Sequence, residues 1–542
     1  MPCYSFTKES LRLPFIAFPG FRWVWSRFGL PLPDLLLFLP FAGVFALVAW
    51  VLPDYAALHR LGDWRLLLPW LALACLSGFF GLVWVLNRLR FWLDRNKVLL
   101  GLKATRPRSW LFPQVRLRSD RHLLSIAPTG SGKGRGLILP NLLDLPGVSV
   151  FVVDPKGENA LVSAQWRRQQ GHKVVIFNPY GLFADAFAAR GFDAFQSFNP
   201  LENLNPQDVR FAGDVDNLAE ALIYSSGEKD DSHWTEAARG LVGFLIMYLV
   251  AEPKEQATLR RLRSIIQGGH PALVVVLGRA TENPLASVRE GVGRYAVATP
   301  EVLSVIATAE AQTRMFKDEA ICAALEGGRF DFGKMKKGLV SVYLVLPGDY
   351  LKERARYLRL ILNTAMGQFM RSGKGKRQVL VILDEFANLG GLAMIKQGFG
   401  LIRGYGVTLW PFVQDLTQLQ RLYPDDWGTF EANTGAVTVA AVNDNTTAEY
   451  FIKRAGKAWT KQTTKTKNTQ KKAFALFHDG ESAGVTSRDE LMNTLNHADI
   501  FEGGDSVFVF LAGKMEPLKL SKPFYDRYIY RRRADNNPML SG

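Results

Sequence analysis

Short apolar runs alternate with longer stretches of helical spacing through most of the chain. Each run has the length of a strand covered on both faces, and the stretches between them can hold crossover helices. The pattern therefore predicts an α/β fold with a mostly parallel sheet and helices on both faces. The predicted core strands are 122–126, 148–153, 173–177, 339–346, 379–383, 407–413 and 436–441. Two later runs, 506–511 and 517–520, are typical of a last hairpin on that sheet.

The pattern changes between residues 203 and 326, where apolar residues follow helical periods and strand signals are few. This indicates an all-α domain inserted between the third and fourth predicted strands. The α/β domain would then consist of residues 91–202 and 327–530. Residues 531–542 would form a short basic tail.

Two uncharged apolar stretches lie near the start of the chain, at 35–52 and 66–86. Each can cross a hydrocarbon core of about 30 Å. Basic residues are frequent before the first stretch and after the second, while the loop at 53–65 holds few, which places both termini in the cytoplasm. Residues 1–90 are therefore predicted to be a membrane anchor of two transmembrane helices. The alternative is a helical hairpin buried in a soluble core.

The chain of 542 residues carries a formal charge of +16 and has three scattered cysteines. Such cysteine usage indicates neither a disulfide framework nor a metal site. Basic residues are concentrated at 88–118 and 453–472. The first stretch follows the predicted anchor, where anionic lipid explains it, and both stretches suit a polyanion. The second is rich in Thr, Lys and Gln around Trp459 and is predicted to be a mobile loop that contacts DNA or solvent.

The motif A-P-T-G-S-G-K-G at 127–134, called the phosphate loop below, directly follows the first core strand. A glycine-rich turn before a helix offers backbone N–H groups to phosphates, and Lys133 can reach their β and γ oxygens. The motif departs from G-x-x-x-x-G-K-[ST] at Ala127 and at Gly134, which replaces the Mg²⁺-binding hydroxyl. The alternative is a structural turn with a surface lysine. The predicted nucleotide-binding residues are Thr129, Gly130, Ser131, Gly132, Lys133 and Gly134.

Two more strand ends complete the predicted site. Asp384 and Glu385 follow the run 379–383, and Gln414 follows the run 407–413. In a parallel sheet these ends meet the ligand, so Asp384 would hold Mg²⁺ and Glu385 would act as general base. Gln414 would sense the γ-phosphate. The alternatives are an ordinary acidic strand end and a helix-capping amide.

Several motifs resemble the TraG/TraD-type coupling proteins of type IV secretion. They occur in that family's order and include P-T-G-S-G-K-G-R-G, V-V-D-P-K-G-E, F-N-P-L, L-D-E-F-A-N-L-G and Q-D-L-T-Q-L. The resemblance implies a RecA-like P-loop NTPase in the inner membrane that uses ATP and Mg²⁺ and is similar to hexameric DNA translocases. It implies partners in the secretion channel and a DNA–relaxase or effector-protein cargo. It also makes Arg403 a candidate arginine finger toward a neighbouring subunit.

Two other functions fit parts of the sequence. A membrane-anchored DNA translocase of the FtsK/HerA type would share the nucleotide site and the anchor. A non-hydrolysing membrane receptor would keep only a degenerate site, which the intact Lys133, Asp384 and Glu385 argue against. The sequence favours the coupling ATPase and leaves its cargo open.

Overall fold

The computed structural model describes Cys75 and residues 96–103, 114–117, 121–224, 232–350, 354–468, 482–501 and 504–537. Except for Cys75, the predicted membrane helices at 35–52 and 66–86 lie outside these residues. In the part of the chain that is described, one helix, Ser232–Ala251, is long and apolar enough to cross a membrane, and most of its apolar window is buried inside the protein.

One sheet of eleven strands carries the fold, and a separate pair forms a hairpin. The strands are β1 (Val98–Lys103), β2 (Gln114–Leu117), β3 (His122–Ile126), β4 (Ser149–Asp154), β5 (Lys173–Phe177), β6 (Val340–Val345), β7 (Val379–Leu383), β8 (Val407–Val413), β9 (Thr434–Val439), β10 (Lys457–Asn468), β11 (Ser482–Asn493), β12 (Ser506–Leu511) and β13 (Leu518–Ser521). Seven neighbouring strands are parallel, in the order β9-β3-β8-β7-β4-β6-β5. The predicted mostly parallel α/β sheet is confirmed.

The core strands explain the apolar runs. Strands β3, β4, β6, β7, β8 and β9 are buried along their whole length. A strand covered by helices on both faces gains from apolar side chains at every position, which removes the alternation of a half-exposed strand. The predicted last hairpin is confirmed as β12 and β13, which pair antiparallel and extend the sheet beyond β9.

Strands β1 and β2 form an antiparallel edge that the sequence did not predict. They lie within the basic stretch at 88–118: β1 is an apolar run interrupted by Gly101, and β2 has only four residues, two of them polar. The side-chain amide of Asn141 binds the backbone N–H of Leu99 over 2.7 Å and its carbonyl over 2.9 Å. This pair of hydrogen bonds fastens β1 to the helix that follows the phosphate loop.

The helices begin with α1, which continues a π-helical turn at Gly134–Ile138. They are α1 (Leu139–Asp144), α2 (Glu158–Gln169), α3 (Ala184–Ala189), α4 (Phe211–Leu222), α5 (Ser232–Ala251), α6 (Leu259–Gln267), α7 (Gly269–Ala280), α8 (Ala286–Tyr295), α9 (Pro300–Gln312), α10 (Glu319–Ala324), α11 (Ala355–Arg371), α12 (Ala393–Leu401), α13 (Leu416–Leu422), α14 (Trp427–Ala432), α15 (Asn445–Ala455) and α16 (His497–Phe501).

All described elements between β5 and β6 are helical, in agreement with the predicted all-α segment. These helices share a hydrophobic core with the sheet: Leu218 and Leu241 belong to the same cluster of buried side chains as Phe177 and Val342. Because the core is continuous, the domain boundaries at 203 and 326 stay predictions.

The predicted mobile loop at 453–472 is wrong for the residues described. Lys453 and Arg454 end helix α15, and β10 pairs with β11 over twelve positions without a bulge. Four threonines between 457 and 468 supply the β-branched side chains that favour strands, and this signal outweighs the absence of an apolar period.

The last described residues fold back over the sheet. We call residues 522–537 the C-terminal strap. Arg533 binds the buried Asp144 over 2.7 Å, and the N–H of Asp535 donates to the carbonyl of Val162 over 3.0 Å. The strap includes the start of the predicted basic tail, whose boundary at residue 530 stays a prediction.

Candidate nucleotide site

The phosphate loop leaves the carboxyl end of β3 and enters the helical turn at Gly134. The N–H of Ala127 donates to the carbonyl of Val413 over 2.8 Å, which joins the start of the loop to β8. Gly130 and Gly132 have φ angles of 82° and 74°, in the left-handed region that favours glycine. A Cβ added at Gly130 or Gly134 would meet no atom within 4 Å. The loop is thus an open cradle, which fits a phosphate chain.

The structure brings together the four side chains predicted from the strand ends. Nζ of Lys133 lies 3.1 Å from Oδ1 of Asp384 and 2.5 Å from Oε1 of Glu385. The side-chain amide of Gln414 donates to Oε2 of Glu385 over 3.2 Å. The segments that carry them follow β3, β7 and β8, which are neighbours in the sheet. The parallel topology alone therefore assembles the cluster.

The cluster has one cation for two carboxylates. Burial lowers the pKa of Lys133, but the charges of Asp384 and Glu385 outweigh burial and raise that pKa above its usual value. Burial raises the pKa of Asp384, and the charge of Glu385 adds to this effect against the attraction of Lys133. The lysine thus stays charged, and the carboxylates have capacity left for a further cation.

A third carboxyl, Asp154, ends the next strand, β4. It is fully buried and accepts hydrogen bonds from the N–H of Ala160 over 2.8 Å and from the amide of Asn159 over 3.2 Å. Burial, together with the charges of Asp384 and Glu158, raises its pKa to about 7 against backbone hydrogen bonds from Ala160 and Asn159 that act in the opposite direction. The D-P-K-G-E motif therefore places a carboxyl that titrates near neutrality beside the predicted metal ligand.

The backbone after Asp384 is strained. Glu385 has a φ of 56°, a left-handed conformation that costs a residue other than glycine about 1–2 kcal/mol. Arg359 on α11 holds the following turn, because its Nη1 donates to the carbonyls of Leu389 over 2.9 Å and Gly391 over 3.0 Å. No sequence pattern marks this arginine, which lies in an ordinary helical stretch.

Ser131 and Gly134 bear on the predicted magnesium site. Gly134 offers no hydroxyl, while Oγ of Ser131 is buried and has no hydrogen-bond partner among the described residues. The described residues as a whole also contain no group of three His, Cys, Asp or Glu residues suited to a metal. A magnesium ion here would therefore rely on Asp384, on water and on phosphate oxygens, the ligand set that this ion usually takes beside nucleotides.

Arg403 lies away from the cluster. It is exposed in the 3₁₀ turn Ile402–Tyr405, which precedes β8, whereas Gln414 follows that strand. The seven residues of β8 span about 20 Å. Arg403 therefore lies at the amino ends of the parallel strands, whereas Lys133 lies at their carboxyl ends. Burial, with a contribution from the charge of Arg403, lowers the pKa of His122 to about 4 at that far end. Within one chain Arg403 does not reach the site, and its role toward a neighbour stays a prediction.

A model of the family described as type IV secretory system conjugative DNA transfer matches residues 86–527. The chain belongs to this family. The match covers the phosphate loop, the acidic pair and Gln414, and the resemblance to TraG/TraD-type coupling proteins is confirmed.

Individual members of the conjugative DNA transfer family are distant relatives. The conjugal transfer protein TraG of Escherichia coli is 26% identical over 347 residues, which cover 57% of this chain and 50% of TraG. The protein VirD4 of Rhizobium radiobacter is 26% identical over 435 residues, which cover 78% of this chain and 60% of VirD4. The chain thus spans about half the length of the Escherichia coli relative.

Solved structures of the plasmid coupling protein TrwB share the fold. TrwB in complex with ADP and Mg²⁺ gives a TM-score of 0.51 at 15% identity and covers 76% of this chain and 87% of its own. TrwB with a non-hydrolysable GTP analogue gives 0.52 at 14% identity, covering 74% and 85%. The predicted RecA-like architecture is confirmed by this similarity.

Proposed function

We propose that this protein is the coupling ATPase of a type IV secretion system, which binds ATP and Mg²⁺ and drives substrates toward the secretion channel. The single observation that carries the proposal is the cluster of Lys133, Asp384, Glu385 and Gln414 at the mouth of an open phosphate loop. Membership of the conjugative DNA transfer family and the similarity in fold to TrwB in complex with ADP and Mg²⁺ support it.

Each residue would have a distinct part in hydrolysis. Lys133 would exchange its two carboxylate partners for the β- and γ-phosphate oxygens, and the N–H groups from Thr129 to Gly134 would line the phosphate chain. Asp384 would hold Mg²⁺, which when bound neutralises charge on the phosphate oxygens. Glu385, released from Lys133, would orient and deprotonate the attacking water. Gln414 would report the state of Glu385 to the helix that follows β8.

ATP hydrolysis by the purified full-length protein tests the proposal. Glu385→Gln should retain nucleotide binding and lose hydrolysis by roughly 10²- to 10⁴-fold, because it removes only the base. Lys133→Ala should weaken binding itself. The matched control is Glu282→Gln, the same substitution at an exposed residue of the helical segment. Hydrolysis by Glu385→Gln at the rate of the unchanged protein would contradict the assignment.

The cellular setting is part of the same proposal. The stretches at 35–52 and 66–86 would anchor the protein in the bacterial inner membrane, with both termini and the ATPase domain in the cytoplasm. Six copies would form a ring in which Arg403 reaches the nucleotide of the neighbouring subunit. Fractionation of the full-length protein tests the anchor: the protein should require detergent for release from membranes.

The cargo would be a DNA–relaxase complex, an effector protein or both. The excess of basic residues and the family description favour DNA. Hydrolysis measured with and without single-stranded DNA tests this choice. Stimulation by DNA supports a nucleic-acid cargo, and an unchanged rate favours protein substrates.

A further inference from the structure

The C-terminal strap contacts the phosphate loop through one buried lysine. Lys522 directly follows β13, and only 4% of its surface is exposed. Its ammonium group donates to the carbonyl of Ser131 over 2.7 Å and to the carbonyl of Gly504 over 2.7 Å. A second lysine ammonium therefore lies against the loop that carries Lys133. It comes from a residue 391 positions after Ser131 in the chain.

The side chain of Lys522 is fitted closely to the helical turn after the loop. A Cβ added at Gly136 would lie 2.9 Å from Cβ of Lys522 and 3.1 Å from its Cδ, so a larger residue at 136 would displace the lysine. The next strap residues add two contacts. Phe524 lies 3.5 Å from the position of a Cβ at Gly132, and the N–H of Tyr525 donates to the carbonyl of Arg135 over 3.1 Å.

The hydrogen bond to Ser131 bears on how the loop binds phosphate. The peptide group between Ser131 and Gly132 is trans, so its C=O and N–H point in opposite directions. Because Lys522 holds the carbonyl on the strap side, the N–H of Gly132 is directed to the other side. A phosphate loop depends on N–H groups that converge on the anion.

We propose that Lys522 is a positioning residue of the nucleotide site, which aims the Gly132 N–H at the phosphate chain and adds a positive charge behind the loop. The inference rests on the proposed nucleotide function. It assigns to the strap a direct part in nucleotide affinity.

The surroundings of Lys522 shift its pKa, which predicts that nucleotide affinity depends on pH. Burial lowers the pKa of Lys522 to about 8, with Asp505 acting in the opposite direction. Arg135, whose pKa is raised mainly by its hydrogen bond to Asp526, also faces the strap. Arg527 contacts the ring of Phe524 and lies 3.6 Å from Asp505.

Lys133, across the loop, has a raised pKa and keeps its proton in the same range. Bound phosphate stabilises the charged form of Lys522, so nucleotide affinity should be constant below pH 8 and should fall as the pH rises above it.

The experiment measures ADP and tripolyphosphate binding to the full-length protein in detergent by calorimetry, from pH 7.0 to 9.5. Lys522→Met keeps the aliphatic stem that packs on Gly136 and removes the charge. We expect it to lower the affinity for both ligands roughly tenfold at pH 7.5, which is the effect of losing a charge-assisted hydrogen bond. We also expect it to abolish the loss of affinity above pH 8. Lys519→Met, at an exposed position on β13, is the matched control and should change neither quantity.

The melting temperature of each variant separates positioning from simple packing. Lys522→Met should lose affinity while it stays folded at the assay temperature, and Lys522→Arg, which retains a charge, should recover part of the affinity without the decline above pH 8. Wild-type affinity and pH profile in Lys522→Met would overturn the inference. Equal losses in Lys522→Met and Lys522→Arg with no change in pH profile would reduce Lys522 to a structural residue. Failure of the unchanged protein to bind ADP would instead overturn the proposed function.

Discussion

Gln414 and Lys133 hold the two oxygens of the same carboxylate. The amide of Gln414 donates to Oε2 of Glu385 over 3.2 Å, and Nζ of Lys133 lies 2.5 Å from Oε1. A phosphate that draws Lys133 away would leave Glu385 bound on the Gln414 side alone. In the proposed mechanism, the position of Gln414 would thus depend on the bound nucleotide through the side chain of Glu385. The backbone N–H of Gln414 donates to the side-chain oxygen of Gln418 in the first turn of α13.

The first prediction concerns this link. Gln414→Met has a similar size and cannot donate to Glu385, so the base should lose its fixed orientation. We expect ATP hydrolysis to fall roughly 10- to 100-fold with nucleotide binding changed less than about twofold, since misplacement of a catalytic group acts on the rate. Steady-state hydrolysis and equilibrium binding check the two quantities. Gln420→Met, on α13, is the control and should retain activity.

The second prediction separates the glycines of the phosphate loop. Gly130 has a φ of 82°, so Gly130→Ala should strain the loop by about 1–2 kcal/mol and weaken nucleotide binding. Gly134 faces open space and begins a helical turn, so Gly134→Ser should fold normally and bind nucleotide. Melting temperature and ADP affinity measure both. Equal effects of the two substitutions would show that loop conformation does not limit binding.

The third prediction concerns pH and Asp154. Its pKa is about 7 in the folded protein, whereas the unfolded chain ionises this carboxyl near pH 4. Between these values the folded state holds a proton that the unfolded state has lost, so Asp154 makes stability fall as the pH rises from about 4 to about 7. Asp154→Asn resembles the protonated form and does not titrate.

The melting temperature of Asp154→Asn relative to the unchanged protein should therefore increase between pH 5 and pH 8. Asp425→Asn, at an exposed residue, serves as the control, and its curve should run parallel to that of the unchanged protein. A parallel curve for Asp154→Asn as well would mean that burial does not raise the pKa of this carboxyl.

The sequence predicted the parallel core and the site within it because both follow from local patterns. A buried strand needs apolar residues at every position, and parallel strands bring their carboxyl ends to one edge, so the sequence alone predicts that Asp384 and Gln414 lie near Lys133. The phosphate loop carries its own signal in Gly130 and Gly132, whose positive φ angles only glycine adopts without strain.

Other features depended on contacts between distant residues. Lys522 and Arg359 act on backbone carbonyls of segments far away in the chain, and nothing in their neighbouring sequence marks them. The left-handed Glu385 is held by its surroundings rather than by its own preference. Strand β10 consists mostly of polar residues, so its pairing partner, and not its own hydrophobicity, decides that it is a strand.

The last prediction concerns the hairpin of β10 and β11. The stretch 453–472 contains eight basic residues and no acidic one, which suits non-specific contact with DNA phosphates. The register of the hairpin distinguishes among these lysines: Lys461 lies opposite Asp489, whereas Lys465 and Lys467 lie opposite Val485 and Ala483. An acid directly across the strand pair competes with phosphate for the lysine.

We therefore expect Lys465→Gln with Lys467→Gln to weaken DNA binding and to reduce the log–log salt slope by about 0.7 per lysine for single strands. Lys461→Gln should have a smaller effect. ATP hydrolysis without DNA should persist in both variants, since none of these lysines belongs to the phosphate loop. DNA affinity across a salt series measures the slopes, and an unchanged slope in the double variant would exclude the hairpin from the DNA interface and favour a protein cargo.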